Sequence, residues 1–107
     1  MSSRVRIGVI GLGEAGSLIA AGLQAAGADV IGFDPVVPET PPVPLAPDVA
    51  AVVTGADIVI SINSSTAAKK VAEQVAPLLG AGTVYADLNT GTPALKKALA
   101  GLFGDGV

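Results

Sequence analysis

Gly11, Gly13 and Gly16 stand in the run IGVIGLGEAG, residues 7–16, with the spacing G-x-G-x-x-G. An apolar stretch precedes them and a helix-like pattern follows, so each glycine has its own use. Gly11 permits a tight turn, Gly13 lets the backbone approach a bulky anion, and Gly16 lets a helix pack closely on a sheet. An anion held there meets the free N–H groups and the positive end of that helix, which is phosphate-binding chemistry. Asp34 lies 18 positions beyond Gly16, at the end of a second apolar run. A carboxylate at that point accepts hydrogen bonds from ribose hydroxyls and repels a 2′-phosphate. Together these residues predict a dinucleotide, with NAD favoured over NADP because the PVV that follows Asp34 offers no cation for an extra phosphate. In the alternative, Asp34-Pro35 merely starts a loop. Glu14 complements the positive end of the helix on its solvated side, or else touches the cofactor.

Two further stretches have the right residue types. NSSTA, residues 63–67, follows the fourth predicted strand and DLNTGTP, residues 87–93, follows the fifth. Ligands of open α/β sheets bind outside the carboxyl ends of strands, where both stretches fall. Asn63, Ser64 and Thr66 either bond the cofactor or cap a helix, and Asn89 and Thr90 either meet the nicotinamide or substrate or form a turn. Lys69, Lys70, Lys96 and Lys97 come in helical pairs and are expected on solvated faces. The chain has no histidine and no cysteine, which removes the commonest general base, the thiolate nucleophile and the usual metal ligands. No catalytic residue and no metal site is assigned.

The elements that must position these residues alternate in type. RVRIGVI, residues 4–10, is a strand that stops at glycine, and Leu18, Ile19, Gly22 and Leu23 recur at helical spacing in a helix over 14–26 closed by Gly27. ADVIGFD is a second strand, so the start of the chain reads strand, helix, strand. Residues 35–47 hold six of the eight prolines and form a surface loop, with VPLA as a third, edge strand. A short helix near 47–54, a strand over 57–62, a helix from Thr66 to Leu79 with Val71, Val75 and Leu78 on one face, and a strand at TVYAD follow. Thr92 and Pro93 then open a helix that closes at Gly104. Apolar strands alternating with helices predict a Rossmann-type α/β fold, a doubly wound parallel sheet ordered third, second, first, fourth, fifth, in a single domain over 1–107.

Composition narrows the partners. A net charge of −3, two Phe, one Tyr and no basic cluster argue against nucleic acid. The positive mean hydropathy comes from Gly and Ala, and no apolar run reaches the roughly 18 to 20 residues of a membrane span. The N-terminal apolar stretch breaks at Gly11 and reads as the first strand of a cytoplasmic protein.

IGVIGLGEAG, the acid at Asp34 and DLNTGTP together resemble the N-terminal NAD-binding domain of the 6-phosphogluconate dehydrogenase and β-hydroxyacid dehydrogenase superfamily, with GEAGS and YADLNT closest to its 6-phosphogluconate dehydrogenase-like branch. The resemblance implies that Gly11, Leu12, Gly13, Glu14 and Ala15 form the pyrophosphate loop and that Asp34 serves the ribose. It implies Asn63 and Ser64 in the cofactor wall, and Asn89 and Thr90 at the nicotinamide and substrate edge. Ala15 stands where the family usually has methionine, and Asn89 where serine is common. Members of the superfamily continue into a helical domain with the catalytic lysine and much of the dimer. The chain is accordingly expected to be truncated before that domain, to bind the cofactor for hydride transfer, and to be inactive alone. A small hydroxy acid or sugar acid is the implied substrate of the whole enzyme. The competing functions are a stand-alone nucleotide-binding or redox-sensing module and the cofactor domain of an imine reductase-like enzyme. The fifth strand, left as an edge with apolar flanks, predicts self-association, with a homodimer as the simplest form.

Overall fold

In RIGVI every side chain after the first is buried, because the strand that carries it, β1 (Arg6–Ile10), has neighbours on both edges and helices over both faces. The computed structural model describes residues 4–36, 38–63, 65–89 and 93–103. Helix α1 (Glu14–Ala25) follows β1 and leads to β2 (Asp29–Phe33). Helix α2 (Val49–Val53), β3 (Ile58–Ser61), α3 (Ser65–Val75), a 3₁₀ turn over Ala76–Leu78, β4 (Val84–Asp87) and α4 (Pro93–Ala100) complete the chain. The four strands are parallel in the order β2-β1-β3-β4, in a Rossmann-like α/β fold.

Alternation along β1 divides the core in two. Ile7 and Val9 point to one face, where they pack with Leu12, Ala20, Val30 and Ile60 under α1. Ile10 points to the other face and meets Val52, Val53, Val59 and Val75 under α2 and α3. A third cluster of Ala68, Ala72 and Leu99 joins α4 to α3. Helices therefore cover both faces, as the doubly apolar strands require.

Several expectations are corrected in detail. VPLA does not form a strand: Leu45 makes one isolated parallel bridge to Gly32, on the outer edge of β2. It occupies the expected position in the sheet order, but Pro44 withholds the N–H that would extend the ladder back along β2. The Gly32 N–H donates to the Pro44 carbonyl, and the Ala46 N–H to that of Gly32. α2 is shorter than the predicted 47–54, starting after Asp48, whose side chain accepts from the Ala51 N–H at 2.8 Å. The helix expected to run to Leu79 leaves α geometry at Val75, since Pro77 has no N–H for the next hydrogen bond. Leu78 is consequently exposed, and Leu79 takes its place against the core. Leu18 is exposed too: Gly16 and Ala20 define the buried side of α1, with Ile19 and Leu23 beside them, and Leu18 lies across the helix from Gly16.

Candidate functional site

All the carboxyl ends of the parallel strands lie on one side of the sheet, and the predicted site residues gather there in sheet order. Asp34 follows β2, the glycines follow β1, Asn63 follows β3 and Asn89 follows β4. Ser64, Thr90, Thr92 and Gly104 lie outside the described residues, as does the side chain of Thr66.

The glycine turn is built by close approach. Gly11 has φ +106°, and a Cβ there would lie 2.1 Å from the Ile62 carbonyl oxygen. A Cβ on Gly16 would lie 1.9 Å from the Gly11 carbonyl oxygen, so only glycine lets α1 start this close to the end of β1. Gly13 is different: nothing lies within 4 Å of where its Cβ would be. Its lack of a side chain is not required by packing. Gly13 is also the N-cap of α1 and has no side-chain cap, so the first-turn N–H groups remain for an anion at the positive helix end. Glu14 and Ala15 are exposed at that end.

Asp34 is tied to the same turn. One of its carboxylate oxygens accepts from the Leu12 N–H at 2.7 Å and the other from the Val36 N–H at 2.9 Å. The Leu12 N–H is thus committed to Asp34, and the Leu12 side chain is buried in the core. Each carboxylate oxygen retains a further lone pair for a hydroxyl donor. Gly11, Gly13, Glu14, Ala15, Asp34 and Asn63 line an open cleft of about 440 Å³. It adjoins a more apolar hollow of about 690 Å³ bounded by Phe33, Val49, Val71 and Lys70, with Pro35, Asn63 and Ala67 common to both. A turn that would crowd out any side chain but glycine, an open space before it, and a carboxylate at its flank fit the pyrophosphate and ribose of a dinucleotide.

Past β3 and β4 the structure holds a polar network, much of which sequence reasoning missed. Asn89 is buried. Its side-chain oxygen accepts from the Asn63 N–H, and its amide nitrogen donates to Ser61 Oγ and to Asp87. The Asn63 side chain also donates to Ser61 Oγ. Lys96, expected on a solvated face, instead turns inward. Its Nζ lies 2.9 Å from Asp87 Oδ2 and donates to the Asn89 carbonyl as well. Lys69 and Lys97 are exposed as expected, and Lys70 is exposed at the rim of the apolar hollow. Burial opposes the charge on Asp87, but hydrogen bonds from Lys96 and from Asn89 prevail and hold its carboxyl below the ordinary value. The visible signal was the sequence position of Asp87, at the end of a strand and a few residues before the first turn of α4. The orientation of Lys96 had no local signature.

Beside this network the Tyr85 hydroxyl is buried and forms no hydrogen bond among the described residues. Burial pushes its phenol up, and the neighbouring Ser61 hydroxyl pulls the other way without reaching hydrogen-bond geometry. No group of three or more His, Cys, Asp or Glu that could hold a metal ion is found among the described residues. No helix among them is long and apolar enough to cross a membrane.

Comparison with known proteins follows the same outline. Residues 6–103 match the family model described as the NAD binding domain of 6-phosphogluconate dehydrogenase. No curated protein matches the chain. Among solved structures, a conserved hypothetical protein from Sinorhizobium meliloti 1021 is similar at 32% identity and TM-score 0.83, over 94% of this chain and 38% of that one. Mycobacterium tuberculosis 3-hydroxyisobutyrate dehydrogenase, solved with L-serine, is similar at 24% identity and TM-score 0.85, over 94% of this chain and 36% of that one. Prephenate dehydrogenase from A. aeolicus, in complex with hydroxyphenyl propionate and NAD+, shares the fold at 19% identity and TM-score 0.78, over 98% of this chain and 40% of that one. The chain spans between 36% and 40% of the length of these proteins.

Proposed function

This chain belongs to the family of NAD-binding domains of 6-phosphogluconate dehydrogenase, and we propose that its cleft takes NAD in preference to NADP, residues 1–107 acting as one cofactor-binding domain. The observation that carries the reading is the pairing of Gly13, open to the cleft, with Asp34, whose carboxylate flanks the same turn. The first-turn N–H groups of α1 and the helix dipole would hold the pyrophosphate. Gly11 and Gly16 keep that helix end against β1, and Asp34 accepts from the ribose hydroxyls. A 2′-phosphate would meet the Asp34 charge with no cation in the PVV that follows it. Asn63 closes the cleft on the β3 side, and Asn89, with Thr90, would border the nicotinamide and the substrate.

When bound, the cofactor supplies hydride transfer, and the protein supplies its binding and orientation. In the whole enzyme the reading implies a small hydroxy acid or sugar acid as substrate, with a protein group to carry its hydroxyl proton. It also includes association of two copies through β4.

Calorimetric titration with NAD and NADP, on the wild type and on Asp34→Asn, tests the assignment. The variant keeps an oxygen for the Leu12 N–H while losing the charge and the acceptor for the Val36 N–H. NAD is expected to bind the wild type more tightly than NADP, and the substitution to narrow that preference about tenfold, the effect of one charge-assisted contact. Equal affinity for the two cofactors in the wild type, or no binding of either, would overturn it.

A further inference from the structure

Lys96 sits on α4, yet its ammonium reaches the carboxyl end of β4. It bonds Asp87 Oδ2 at 2.9 Å and also donates to the carbonyls of Asp87 and Asn89. Those contacts pin the backbone of the β4 loop on one side. On the other, the Asn89 side chain spans the gap to the β3 loop through the Asn63 N–H and Ser61 Oγ. The network runs from Lys96 through Asp87 and Asn89 to Ser61 and Asn63 without interruption. Ser61 and Asn89 are buried and the Asp87 side chain is 12% exposed, while the Lys96 side chain that closes the network is 38% exposed. Polar groups at such depth hold a defined geometry only while each partner is present, because losing one leaves another unsatisfied.

We infer that Lys96 is a positioning residue: through Asp87 and Asn89 it fixes Asn63, and so sets the β3 side of the cofactor cleft from a helix that does not line it. The inference rests on the dinucleotide reading. In the sheet order β2-β1-β3-β4, a ligand with one ribose at Asp34 and its pyrophosphate at Gly13 carries its second nucleoside over β3 and β4. ADP would use only the β2 and β1 side, whereas NAD would also use the side that Lys96 organises. The charge on Lys96 matters through where it is held, since Lys97, its exposed neighbour on the same helix, carries an equal charge.

The test titrates ADP and NAD calorimetrically into the wild type, Lys96→Met, Lys96→Arg and Lys97→Met, with amide hydrogen exchange at Asn63 followed in the free proteins. Lys96→Met is expected to weaken NAD about tenfold, the effect of one lost charge-assisted hydrogen bond, and to change ADP less than about twofold. The Asn63 amide is expected to exchange faster in that variant. Lys96→Arg should recover most of the NAD affinity, and Lys97→Met should match the wild type. Asp87→Asn, with Lys96 intact, should reproduce the loss and covers the case in which Lys96→Met fails to fold. Unchanged NAD affinity in folded Lys96→Met or Asp87→Asn overturns the inference, as does an equal loss for ADP and NAD. If neither ADP nor NAD binds the wild type, the dinucleotide reading itself falls and takes the inference with it.

Discussion

At the scale of single residues, the three glycines of the turn differ in what surrounds them. A methyl group on Gly16 would collide with the Gly11 carbonyl at 1.9 Å, and that oxygen is backbone and cannot step aside cheaply. A methyl group on Gly13 would meet nothing within 4 Å. Gly16→Ala is therefore expected to destabilise the fold by about 2 kcal/mol or more, in the range of overpacked cores. Gly13→Ala should cost at most about 1 kcal/mol, the difference between glycine and alanine at an N-cap. Its binding loss should be the larger effect, because the methyl fills the space in which a pyrophosphate would sit. Urea denaturation beside NAD titration checks both halves. A Gly13→Ala variant that binds as tightly as the wild type would mean that this glycine serves only the turn. The sequence spacing suggested three separate uses, and the positions of the would-be Cβ atoms distinguish the packing glycine from the open one.

At the scale of elements, β4 and α4 are joined by the ion pair between Asp87 and Lys96, and this gives the fold an acid-sensitive seam. Lys96, with Asn89, holds the Asp87 carboxyl below its ordinary value of 3.8 against the opposing effect of burial. A carboxyl depressed on folding contributes stability above its unfolded value, and that contribution is lost as pH falls through the folded value. The urea midpoint of the wild type should thus exceed that of Asp87→Asn near neutrality. The gap should narrow only below about pH 4, where the unfolded carboxyl begins to bind protons. A gap that stays constant down to about pH 2 would show that the ion pair adds no pH-dependent stability. The strands and helices that build this seam were largely legible in the sequence. DIVISI and RVRIGVI are β-branched runs that stop at turn residues, and Thr92-Pro93 marked the start of α4. The seam was not, because the direction of Lys96 depends on how α4 is rotated. That rotation is set by Leu99 against Ala68 and Ala72 and by Phe103 against Tyr85, with ring centroids 4.5 Å apart. A lysine pair in a helical pattern looks the same from the sequence whether one member is solvated or paired. Likewise the helix through residue 75 was visible from its apolar spacing, but its end was set by Pro77, which the spacing of Val71, Val75 and Leu78 passes over.

At the scale of the whole molecule, the sheet is well covered at its centre and thinly covered at one side. α1 lies over β1 and β2 and packs its apolar side there, while on β4 Val84 is 55% exposed and Leu88, just beyond it, is 51% exposed. Both project to the face opposite Tyr85, since successive strand residues alternate. Among the described residues β4 pairs only with β3, so unpaired N–H and C=O groups run alongside this apolar surface. An edge of that kind is a template for another strand, and proteins usually blunt it with charge, proline or a covering element. VYAD carries one charge, on Asp87, and that is already engaged by Lys96. Two copies meeting along β4 would pair the free backbone groups and remove Val84 from water, so sedimentation should show a dimer whose population rises with concentration. Val84→Lys places a charge on the same edge without disturbing the buried face, and it should shift the population to monomer with little change in the thermal midpoint. A wild type that stays monomeric at millimolar concentration would exclude the association, and a dimer indifferent to Val84→Lys would mean that it forms elsewhere. The outcome also bears on the proposed cofactor cleft, because Asp87 lies on β4 and, through Asn89, joins that strand to Asn63. If the edge pairs in solution, a variant that frees it should loosen those contacts, and NAD affinity measured above and below the dimer concentration would reveal whether the two are coupled.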